Sequence, residues 1–156
     1  MVTRSSAGPL LRSLLDAQRH DDEASGWPLL EGCAAGLVAL SQRLNRPITW
    51  PVGDGDSAQR LLGAAVLLSR GELRPYNWST DVRGQDVLLV TVVAVTPLAL
   101  LLDAERAKKL GAATIHACGV DVQGTEALGS SLIETYWPLV APDELPSAPL
   151  LRSVGG

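Results

Sequence analysis

Few side chains in this sequence could do chemistry, and most sit at the ends of apolar segments. Gly53, Asp54, Gly55, Asp56 and Ser57 form a tight loop ahead of a helical pattern. Such a loop can offer backbone amides to an anion, or carboxylates to a magnesium ion. The plainer account is a turn in which Asp56 or Ser57 caps the following helix. Two negative charges also oppose anion binding, so the loop is a poor phosphate cradle by itself. Thr91 and Thr96 flank the end of a long apolar run. Local hydrogen bonding by Thr91, and helix entry at Thr96 before Pro97, explain both without a ligand. Asp121 and Gln123 follow another apolar segment. They would line a cleft if that segment is a strand, because open α/β sheets bind ligands beyond the carboxyl ends of their strands. A solvated loop is the alternative. His116 lies within that segment, and a lone histidine there reads as structural.

Cys33 and Cys118 are far apart and have no CxxC partner, so metal and redox motifs are unsupported. Buried reduced thiols are expected. No cofactor motif is present; magnesium enters only if Asp54, Asp56 or Asp121 serves a reaction. Trp27, Trp50, Trp78 and Trp137 stand out in a chain without phenylalanine. Each could stack on a base or anchor a partner, but core or interface packing is the simpler assignment.

The chain has 156 residues, enough for one domain with a real core. Charged residues make up 19%, against roughly 25% in typical soluble domains. A surface so lean in charge suggests self-association, most simply as a dimer, or a protein partner. Net charge is −4 with no basic run, which argues against a duplex nucleic-acid binder. The apolar run at 87–102 is short for a membrane span and is divided by Pro97. With no apolar signal core at residues 1–6, a cytoplasmic location is expected.

The elements that must position these residues follow from periodicity. Leu10, Leu11, Leu14 and Leu15 share one face of a short helix. A second helix is predicted over 28–44, with small residues at Gly32, Ala34, Ala35 and Gly36. A short strand at 48–50 and a helix over 58–69 come next, then a candidate strand at 73–78. Residues 87–95 form a continuous valine-rich run, which suits a central parallel strand. A helix runs from Pro97 to about Leu110, with Lys108 and Lys109 at its negative end. A strand at 114–120 and a short helix at 126–132 complete the core. From Trp137 the prolines at 138, 142, 146 and 149 read as an irregular tail. The alternation predicts an α/β fold, a parallel sheet flanked by helices. Its units are a helical segment at 1–27, the core at 28–136 and the tail at 137–156.

The strand Val87-Leu88-Leu89-Val90, the stretch from Thr91 to Leu100 and the helix end at Leu110-Gly111-Ala112 together resemble the type I phosphoribosyltransferases. Ile115 to Val120 is similar to that family's next strand, and residues 52–58 fall where it places a pyrophosphate loop. The resemblance implies a single domain of phosphoribosyltransferase-like fold, often dimeric, with a nucleotide-like or other small anionic ligand. It also exposes departures. The family's acidic pair, which holds the ribose hydroxyls, falls on Thr91 and Val92. The glycines of its phosphate loop fall on Pro97 and Leu98, and only Thr96 is retained. Each lost charge-assisted hydrogen bond costs about 1.5–3 kcal/mol. Proline removes an amide donor, and leucine obstructs close backbone approach. The expected function is therefore non-catalytic: small-molecule binding, regulation or assembly. The alternative is an enzyme of altered substrate using Asp54, Asp56 or Asp121. The candidate ligand residues are Gly53, Asp54, Gly55, Asp56, Ser57, Thr91, Thr96 and Asp121.

Overall fold

The computed structural model describes residues 23–53, 56–94 and 96–152. In chain order the elements are α1 (Glu23–Arg43), β1 (Ile48–Pro51), α2 (Asp56–Leu68), β2 (Arg74–Pro75), β3 (Asp86–Ala94), α3 (Leu98–Lys109) and β4 (Thr114–Val122). A 3-10 turn (Thr125–Ser130), β5 (Thr135–Pro138), a second 3-10 turn (Pro142–Glu144) and β6 (Leu151–Arg152) follow. The strands form one sheet in the order β2-β1-β3-β4-β5-β6. All neighbours are parallel except β5 and β6, which are antiparallel. This is a mostly parallel α/β sheet flanked by helices, as the alternation of elements implied.

The lack of hydrophobic alternation in β3 now has its cause. Leu88, Val90 and Val92 face α1 and α2, packing with Leu37, Leu40, Leu61 and Leu62. Val87 and Leu89 face α3 and pack with Leu100, Ala104 and Ala107. Both faces are covered, so both sets of side chains are apolar.

Several boundaries differ from the sequence reading. The helix expected from Pro28 starts at Glu23, so the proline sits in its second turn, where it removes one backbone bond. The strand expected at 73–78 shrinks to Arg74–Pro75. The chain leaves it through a turn closed by the Thr80 amide donating to the Asn77 carbonyl. The helix expected at 126–132 is a 3-10 turn ending at Ser130, where Gly129 and two serines favour no helix. Trp137 and Pro138, read as the start of an irregular tail, belong to β5 beside Cys118 and Gly119. Leu151–Arg152 also joins the sheet. Prolines spaced along this stretch hid two strands. The helix expected around Leu10 to Leu15 lies outside the described residues.

Two of the small residues of α1, Ala34 and Gly36, are used within the chain, whereas Gly32 has open space around its Cβ position. A Cβ on Gly36 would fall 1.6 Å from the Val140 carbonyl oxygen. The segment after β5 therefore lies directly on the helix, with Cys33 and Ala34 buried beneath. Among the described residues no helix is long and apolar enough to cross a membrane.

Candidate functional site

The carboxyl edge of the sheet is stepped. β3 and β4 pair as far as Ala94 and Val122, whereas β1 stops opposite Val90 and β5 opposite Gly119. The loops after β1, β3 and β4 open at this step, where a ligand would bind in an open α/β sheet.

Thr91 and Val92 sit at the step but turn inward, 6% and 4% exposed. Val92 packs into the core beneath α1 and α2. Thr91 lies opposite Gly119 on β4. Its methyl carbon is 3.0 Å from where a Gly119 Cβ would stand, and the Tyr136 hydroxyl is 2.9 Å from the same point. Glycine is needed here because β3, β4 and β5 all crowd this spot. Asp121, half-buried on β4, lies close enough to Tyr136 to act on its phenol. Burial pushes that phenol far above its ordinary range, with Cys118 and Asp121 adding to the rise. Tyr136 therefore stays protonated and can donate a hydrogen bond. It is the polar residue that sequence reasoning missed at this edge. Its only signal was a place in a β-branched and aromatic stretch, Thr135-Tyr136-Trp137.

The loop after β3 offers little to an anion at Pro97 and Leu98. Pro97 occupies the cap position of α3 and has no amide hydrogen. The Leu98 amide donates to Thr96 Oγ1 at 3.4 Å, and the Leu98 side chain is exposed. Pro97 Cδ lies 3.3 Å from where a Gly124 Cβ would stand, so this loop abuts the loop after β4. The Gln123 amide donates to the Ala94 carbonyl at 3.0 Å and ties the two together.

The loop after β1 offers less to describe. Gly53 is exposed, with positive φ and open space around its Cβ position. Asp54 and Gly55 lie outside the described residues. Asp56 is the first residue of α2, and Ser57 is half-buried in its first turn. The structure thus groups Thr91, Asp121 and Tyr136 around Gly119. Gly53 and Thr96 lie on neighbouring loops of the same edge, and Ser57 in the first turn of α2. Among the described residues no three of His, Cys, Asp and Glu could hold a metal ion.

His116 belongs to the opposite edge. Its Nδ1 lies within hydrogen-bond distance of Thr135 Oγ1, at 2.6 Å, and the Trp137 Nε1 proton is donated to the same oxygen at 2.9 Å. Burial lowers its pKa, against the pull of Glu134 and Asp86. It is a hydrogen-bonded structural residue. Trp137 is buried beneath the Arg43 guanidinium, 5.6 Å from the ring centre. Trp50 stacks on Tyr76 at 4.0 Å. Trp78 is 92% exposed.

No family model matches the sequence, and no curated protein does. Solved structures are similar in fold. A hypoxanthine-guanine-xanthine phosphoribosyltransferase matches with 19% identity and a TM-score of 0.44, over 59% of this chain and 62% of that one. A hypoxanthine phosphoribosyltransferase from Staphylococcus aureus matches with 12% identity and a TM-score of 0.48, over the same shares of the two chains. A purine phosphoribosyltransferase from Pyrococcus horikoshii Ot3 matches with 19% identity and a TM-score of 0.43, over 56% of this chain and 68% of that one. The matched part spans less than two thirds of the first two proteins.

Proposed function

We propose that this chain is a non-catalytic protein of phosphoribosyltransferase-like fold whose ribose-phosphate site is lost, and that it works through binding, regulation or assembly. One observation carries the reading. The two positions where the family resemblance puts carboxylates hold Thr91 and Val92, both packed inside the protein. A carboxylate at Val92 would enter an apolar core, where an unpaired charge is strongly disfavoured. The phosphate loop supports the same conclusion, since Pro97 offers no amide and the Leu98 amide already faces Thr96. Partners on this reading are a small ligand at the stepped edge, a protein, or a second copy of the chain. The buried, unpaired Cys33 and Cys118 accord with the reducing cytoplasm.

Isothermal titration with phosphoribosyl pyrophosphate and magnesium tests this. No heat of binding is expected up to the highest ligand concentration. A micromolar dissociation constant would overturn the reading in favour of an enzyme using Asp54, Asp56 or Asp121.

A further inference from the structure

The sequence shows no basic run, yet the fold gathers its cations. Arg43 ends α1, Arg46 precedes β1, Arg70 follows α2, Arg74 opens β2 and Arg83 precedes β3. Arg106, Lys108 and Lys109 end α3, and Arg152 pairs with Thr135 at the start of β5. All nine lie at or beside the amino edge of the sheet; Arg60 is the remaining described cation. Six carboxylates share that edge or adjoin its cations: Glu72, Asp81, Asp86, Asp103, Glu105 and Glu134. The edge therefore carries a net of about three positive charges, nine cations less six carboxylates, on a chain of net charge −4.

Helix dipoles explain part of this, because cations favour helix C-termini. They account for Arg43, Arg106, Lys108 and Lys109, but not for Arg46, Arg74, Arg83 or Arg152. The way the cations are held is also informative. Arg46 donates from Nε and Nη2 to the Glu72 carbonyl at 3.2 and 2.8 Å. Arg74 donates to the Arg46 carbonyl at 3.2 Å and to Gln85 Oε1 at 3.1 Å. These acceptors are neutral, so they fix the guanidinium groups without cancelling their charge. The band continues through the Gly84 amide, which donates to the Gly111 carbonyl next to Lys108 and Lys109. Among the described residues, Arg83 and Arg106 pair with carboxylates. Arg46, Arg70, Arg74, Lys108 and Lys109 do not, and all five are exposed.

The opposite edge has the opposite sign. Asp121 and Glu126 lie at the end of β4 and just beyond it, Asp56 opens α2, and Glu31 lies in the first half of α1. We infer that the protein associates head to tail, the basic amino edge of one copy docking on the acidic carboxyl edge of another. Charge complementarity selects this occupant. At 0.15 M salt the Debye length is about 8 Å, shorter than a domain of this size, so the two ends act as separate fields. Contacts of unlike edges are heterologous and can extend into rings or chains. The inference rests on the charge pattern and holds whether or not the ribose-phosphate site is lost.

Sedimentation velocity on the full chain tests it, at about 20 mM and about 500 mM salt. Association is expected at low salt, weakening at least about tenfold at high salt. The variants Lys108→Glu/Lys109→Glu and Glu31→Lys/Glu126→Lys change exposed residues at opposite ends. Each alone should sediment near 16.4 kDa, with circular dichroism confirming the fold, and mixing the two should restore association. A wild-type monomer at low salt would overturn the inference. So would association that survives high salt and both variants, which describes an apolar two-fold dimer. A monomer that binds a labelled single-stranded oligonucleotide would assign the basic edge to another polyanion and also overturn it.

Discussion

Gly119 has three neighbours that leave no room for a methyl group. Besides Tyr136 and Thr91, the Val122 Cγ2 atom lies 2.6 Å from the point where its Cβ would stand. Gly119→Ala should therefore destabilise the protein by about 1–3 kcal/mol, read as a lower urea midpoint. An unchanged midpoint would mean that the cluster around Tyr136 is loose. His116 sets a second expectation. Burial makes its folded state bind a proton less readily than the unfolded chain does. The stability tied to its neutral ring is complete above the unfolded value of about 6.5 and is lost as pH falls through that value toward the folded one. The urea midpoint should fall between about pH 7 and about pH 5, and less steeply in His116→Gln. A variant with the same slope would place the titration elsewhere.

The packing of α1 is set by the element that crosses it. Gly36→Ala would raise helix propensity by about 1 kcal/mol, but it would drive a methyl into the Val140 carbonyl. Backbone is the obstacle, so relief requires the whole segment after β5 to move. A net loss of about 3 kcal/mol is expected, measured as a fall in Tm. A stabilised variant would show that the segment is not seated on the helix. The ease of predicting each element reflects its physics. β3 was legible because burial on two faces demands an unbroken apolar run. β5 and β6 were not, because their strand-forming residues are few and lie among prolines, which usually signal loops. The 3-10 turn after β4 was mistaken for a helix because Glu126 to Leu132 carries apolar residues at helical spacing. Gly124 and Gly129 were the signals to the contrary.

For the molecule as a whole, the absence of carboxylates at Thr91 and Val92 could be read directly from residue types. Their burial could not, and neither could the contact of Tyr136 with Gly119, which depends on β5 lying beside β4. The separation of charge was hidden for a related reason. Arg46, Arg74 and Lys108 are far apart in sequence, and parallel crossovers return each of them to the same edge. The sheet's two lateral margins have a further consequence. Tyr76 turns its amide toward β1, so Pro75, which alternates with it, faces outward on β2 where it has no hydrogen to give. On the other side β6 is two residues long. Neither margin offers a ladder long enough to template an incoming strand, which protects an otherwise valine-rich sheet from cross-β growth.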